Sequence, residues 1–258
     1  MMKVNKIIFI GDSYTQGIGA EWPGLYKFLP KIPDEFKAQK WNLRLKRGTH
    51  TEEQNITDFA KLKQEYRFDF NKHKAVLEAI KGTSWPAIIG KKFNLEVINE
   101  GFDAKSNFHI ANRLTQTWSY NDDSNPFKDA LVIYGVTDAI KDITYHQPIG
   151  APALKNITIP QLALNINYIK EFVSSRGGAF AYFHINDFPE ELYDMKLNPF
   201  YYNITPYLLF ERSLHSFLPP SLSWKKWDGK HFDINGHKHL ASSFINQLEN
   251  SDIIHILR

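Results

Sequence analysis

Residues 6–17 read Lys6-Ile7-Ile8-Phe9-Ile10-Gly11-Asp12-Ser13-Tyr14-Thr15-Gln16-Gly17, an unbroken apolar run that stops at a glycine and passes into a short polar turn. A run of this length without polar alternation is the pattern of a β-strand buried on both faces, as in the interior of a parallel sheet. It is too short to cross a membrane and no small-residue cleavage site follows it, so it predicts a strand and not a signal peptide. Residues 95–98, 130–134 and 179–183 form runs of the same character. Between the runs the spacing turns helical, most clearly over residues 159–173, where Leu162, Leu164, Ile166, Ile169 and Phe172 fall on one or two stripes. Strand and helix in alternation predict a doubly wound α/β sheet.

The 258 residues are 43% hydrophobic and 23% charged, ordinary globular usage that excludes a disordered or collagen-like chain. A single domain over residues 1–258, carrying one insertion, accommodates that length. Aromatic residues make up 14% (19 Phe, 12 Tyr, 6 Trp), which fits a bulky core and a surface with stacking platforms equally well. The absence of cysteine excludes disulfides, thiolate metal sites and cysteine nucleophiles. A net charge of +3 is too small to argue for nucleic acid without a clustered patch. The positive charge gathers after the first strand, with 12 basic against 8 acidic residues between Lys31 and Lys81. The stretch 28–83 reads as an inserted, mostly helical subdomain or cap, with helical spacing in Phe59, Leu62, Tyr66, Phe70, Leu77 and Ile80. Its charge reads either as a solvated face or as a cap that attracts an anionic substrate.

Ser13 falls on the turn at the carboxyl end of the first strand, where open α/β sheets bind ligands. Near the other end of the chain stands Asp228-Gly229-Lys230-His231. An Asp three residues before a His can accept its Nδ1 proton and leave Nε2 free as a general base. Nucleophile, base and orienting acid are thus all available. The histidines 231, 237 and 239 do not read as a metal site, because 237 and 239 would face different sides of a helix and no HExxH spacing occurs. Gly17, Gly19 and Gly24 lack the spacing of a dinucleotide fingerprint, and no phosphate-binding GxxxxGK[ST] is present.

Read in order, these segments resemble the blocks of the SGNH/GDSL hydrolases. GDSYTQG at 11–17 is similar to the family's first block and DGKHFDINGHKHLA at 228–241 to its last. Residues 84–87 (SWPA) and 97–101 (VINEG) resemble the approach to the second block, and LVIYGVTD at 131–138 resembles the third. The resemblance implies a flavodoxin-like, three-layer α/β/α sandwich with a parallel sheet, the helical insertion following its first strand. It also implies Ser13 as nucleophile, His231 as base and Asp228 as its partner. The oxyanion hole would combine the backbone N–H of Ser13, that of Ala104 in place of the usual glycine, and the side chain of Thr137 in place of the usual asparagine. Thr137 is the larger departure, since its hydroxyl is shorter than an amide and a lost oxyanion donor costs about 3 kcal/mol. Asn107 or a water is the expected substitute donor. Tyr14, Asn107 and Trp227 are the candidate substrate contacts, and the aromatic stretches 200–210 and 224–227 are read as pocket wall or core. Asp12 and Asp138 are expected to be buried structural acceptors. The implied activity is hydrolysis of a carboxylic ester, an O-acetylated carbohydrate or small acyl ester, without metal or organic cofactor. The expected partner is that small-molecule or glycan ester, with no nucleic acid and no membrane span, in a soluble chain that is cytoplasmic by default. The competing expectation is a catalytically weak SGNH-like module that binds glycan or serves as a structural part of a larger assembly.

Overall fold

A computed structural model describes residues 3–17, 83–102, 106–119, 125–138, 151–218 apart from 187, 195, 197 and 199, then 232 and 234–257. Its centre is a five-stranded sheet of β1 (Lys6–Asp12), β2 (Glu96–Phe102), β3 (Ala130–Val136), β4 (Ala179–His184) and β5 (Leu208–Ser213). The strands stand in the order β2-β1-β3-β4-β5 and every neighbouring pair is parallel. This is the flavodoxin-like doubly wound order, in which the chain winds outward in both directions from the point between β1 and β3. All four apolar runs became strands, extended by up to four residues at their carboxyl ends. The fifth strand was not predicted.

The helices are α1 (Ser13–Gln16), α2 (Trp85–Phe93), α3 (Asn107–Ser119), α4 (Ala151–Ser174), α5 (Tyr201–Ile204), α6 (Ile234–Glu249) and α7 (Ile254–Leu257). Successive side chains of a strand point to opposite faces, so each interior strand needs cover on both sides. Ile8 and Ile10 of β1, with Val132, Tyr134, Phe180 and Tyr182, pack under Ile110 and Leu114 of α3 and Leu162, Ile166 and Ile169 of α4. Ile7, Phe9, Leu131, Ile133 and Phe183 face the other way, onto Trp85 and Ile89 of α2 and Leu240, Phe244 and Leu248 of α6. The result is the three-layer α/β/α sandwich. Each fully buried side chain of this size contributes about 1.5–3 kcal/mol.

Much of the aromatic content belongs to this core. Trp85 packs edge-on to Phe9 and Phe183 at centroid distances of 5.2 and 5.7 Å and lies 5.1 Å from Phe244. Helix α4 begins eight residues before the predicted start at 159 and runs through Pro160. Of the stretch 28–83 read as an inserted subdomain or cap, residues 28–82 lie outside the described residues. Among the described residues no helix is long and apolar enough to cross a membrane.

Candidate functional site

The carboxyl ends of β1 and β3 meet at the topological switch point, where a doubly wound sheet opens its ligand crevice. Asp12 closes β1 there and is fully buried. Its Oδ1 accepts the backbone N–H of Tyr14 at 3.0 Å, fixing the turn on which Ser13 stands, and its Oδ2 accepts the hydroxyl of Thr137 at 2.8 Å. A buried carboxylate is tolerated when donors surround it. The expectation that Asp12 acts as a structural acceptor matches this geometry, whereas Asp138 is only half-buried.

Thr137 is itself held from behind. The backbone N–H of Thr137 donates to Asn107 Oδ1 at 3.0 Å, and Asn107 Nδ2 donates to the Thr137 carbonyl at 2.9 Å. The Tyr134 hydroxyl donates to the same Asn107 oxygen at 2.7 Å. Asn107, Thr137 and Tyr134 are all at most 2% exposed. Asn107, expected as a substrate contact or substitute oxyanion donor, directs one Nδ2 hydrogen and its Oδ1 to the backbone of residue 137. Its position on the first turn of α3 binds that helix to the end of β3.

Packing explains why the turn after β1 admits so little variation. Thr15 is fully buried between Gly11 and Gly135; a Cβ on Gly11 would collide with its hydroxyl, and one on Gly135 would come within 2.6 Å. Asn99 closes the other side, its Nδ2 donating to the Thr15 carbonyl at 3.0 Å and its Oδ1 accepting the Gly101 N–H at 3.0 Å. Asn99 of β2 and Thr137, just past β3, thus hold this turn directly, and Asn107 of α3 holds it through Thr137.

A second set of contacts brings Phe232 and His237 to the same place. Phe232 packs on Tyr14 at 5.4 Å between centroids, and His215 lies 4.7 Å from Tyr14 and 5.0 Å from Phe232. Trp85 Nε1 donates to the Tyr14 carbonyl at 2.9 Å, and the Trp85 backbone N–H donates to Nδ1 of the buried His237 at 3.4 Å. Tyr14, expected as a substrate contact, is half-buried with its ring against His215 and Phe232. His239 Nε2 sits 3.1 Å from the Phe217 carbonyl. Among the described residues no group of three or more His, Asp or Glu side chains is arranged to hold a metal ion. Ala104, Trp227, Asp228 and His231 lie outside the described residues, and Ser13 is described by its backbone alone.

One strand over, a cluster that sequence reasoning missed occupies the end of β4. His184 Nε2 lies 2.7 Å from the Tyr193 hydroxyl, which is 3.0 Å from the Tyr182 hydroxyl. Burial pushes His184 down from 6.5 to about 3, keeping the ring neutral, and pushes both phenols above their ordinary range. The signal available was a His ending an apolar run, with Tyr193 nine residues on.

The fold and this edge define a doubly wound α/β protein with a fixed polar turn at the switch point. Among solved structures it is similar to a presumed lipolytic protein of the G-D-S-L family from Desulfitobacterium hafniense DCB-2, at 14% identity and a TM-score of 0.49 over 95% of this chain and 99% of that one. No family model and no curated protein matches the chain.

Proposed function

We propose that the protein is a serine hydrolase of the SGNH kind that cleaves carboxylic esters, with Ser13 as nucleophile, His231 as base and Asp228 as the acid that orients it. One observation carries the reading: Phe232, next in sequence to His231, packs on Tyr14, next in sequence to Ser13. Residues 218 positions apart in the chain are neighbours at the edge where such sheets bind ligands. The direct fixing of the Asp12 turn supports the same reading, because a nucleophile gains from a held geometry.

In this mechanism Ser13 Oγ attacks the ester carbonyl while His231 Nε2 takes its proton. The tetrahedral oxyanion is stabilised by the backbone N–H groups of Ser13 and Ala104. As the C–O bond breaks, His231 gives its proton to the departing alcohol and an acyl-Ser13 ester remains. Water, deprotonated by His231, then attacks the acyl carbon, and the acid leaves with Ser13 reprotonated. The substrate class is an O-acetylated carbohydrate or a small acyl ester.

The test is hydrolysis of a short-chain chromogenic ester and of an O-acetylated glycan by the wild type and by Ser13→Ala. Loss of turnover on at least one substrate in Ser13→Ala is expected. Equal rates for the two proteins on both substrates would overturn the assignment.

A further inference from the structure

We infer that Thr137 is a positioning residue that acts through Asp12, and that its hydroxyl is not a donor to the oxyanion. The inference rests on the hydrolase reading above and sharpens the division of labour within that same site. A threonine hydroxyl has a single hydrogen. Here it is directed to Asp12 Oδ2 at 2.8 Å, a carboxyl oxygen on a completely buried side chain. Turning that hydrogen toward a substrate would take a donor away from a completely buried carboxyl group, where a hydrogen bond given up is not replaced cheaply.

The surroundings make the alternative harder still. Asn107 grips both the N–H and the carbonyl of residue 137, at 3.0 and 2.9 Å, and Tyr134 fixes Asn107 in turn at 2.7 Å. The backbone from which the Thr137 side chain projects is therefore anchored on two sides. The other oxygen of Asp12 holds the N–H of Tyr14 at 3.0 Å, one residue beyond Ser13. A continuous chain of hydrogen bonds thus runs from Tyr134 through Asn107, Thr137 and Asp12 to the turn that presents Ser13. Charge stabilisation in the transition state then falls to the main-chain donors, and the third-block side chain supplies aim.

Two double-mutant cycles on the full-length protein test this, using Thr137→Val, which keeps the side chain's shape, and Asp12→Asn. In urea unfolding the two substitutions should be non-additive, the double variant's midpoint lying close to that of the worse single one. Additive shifts would overturn the tie between the two residues whether or not the protein hydrolyses esters. In ester hydrolysis Thr137→Val should lower kcat about tenfold with KM within twofold, Thr137→Ser should restore it, and the double variant should be no slower than Asp12→Asn alone. Losses that multiply, as expected of an independent oxyanion donor, would overturn the positioning role. Hydrolysis unaffected by Ser13→Ala in the same assay would remove the underlying reading and this role with it.

Discussion

Two buried polar clusters stand one strand apart at the carboxyl edge of the sheet, and they are assembled differently. The cluster at β1 and β3 joins Asp12 to Thr137, 125 residues away, and Thr137 to Asn107, 30 residues away, around an ionisable carboxyl group. The cluster at β4 joins Tyr182, His184 and Tyr193 within 11 residues, around a histidine that burial keeps neutral. The first exists only when the ends of β1 and β3 and the start of α3 are correctly assembled. The second secures a local crossover, from the end of β4 into the 3-10 turn at Glu190–Tyr193. Burial of polar groups at this edge does two things: it fixes the turn after β1, and it holds down a loop one strand away.

The largest expected effect separates the clusters by activity. Ser13→Ala should lower kcat/KM on a short-chain ester by at least about 10³-fold, while His184→Gln should leave it within about threefold. Comparable losses in both would erase the distinction.

Acid should separate them next. The folded-state value for His184, about 3, lies below its ordinary 6.5. The unfolded chain therefore takes up this proton first, and the contribution of neutral His184 is complete above about pH 6.5 and is lost as pH falls toward 3. The expected decline is about 1 kcal/mol per pH unit at its steepest. Urea midpoints between pH 7 and 5 should flatten in His184→Gln, and an unchanged slope would show that the β4 cluster is not the acid-sensitive one.

Gly135→Ala should act on the β1 and β3 side by crowding. The added carbon would lie 2.6 Å from Thr15 Oγ1 and 3.0 Å from Ile185 Cδ1 and Phe183 Cζ. Overpacking of this kind costs about 1–3 kcal/mol, measurable as a lower Tm. The smallest effects should come from Tyr134→Phe and Tyr182→Phe, each destabilising by about 1 kcal/mol through a lost hydrogen bond. Only Tyr134→Phe should also slow hydrolysis, about two- to threefold.

How much of this was legible in the sequence depended on exposure and on chain distance. Strands β1, β3 and β4 announce themselves because both faces are covered, leaving continuous apolar runs such as Ile7 to Ile10. β5 does not, because it lies at the sheet edge: Glu211 and Arg212 are exposed, Phe210 alone is buried, and its pairing with β4 shifts register between Tyr182 and His184. The early turns of α4 were hidden by Pro160 and by β-branched Ile157, Thr158 and Ile159, which lower local helix preference. The turn at Ser13 was legible from Gly-Asp-Ser. The partner of Thr137 was not, because only the parallel register of β1 and β3 brings the ends of those strands together.

One junction carries a consequence for the chain's architecture. Gly17, at φ +89°, sits so close to Ser84 that a Cβ on it would stand 2.5 Å from the Ser84 Cβ. Two residues 67 positions apart are therefore in contact. Closing a loop costs free energy that grows only slowly with its length. The contact joins the end of the Ser13 turn to the start of the helix that covers Phe9 and Phe183, so turn and core are tied together at one long closure.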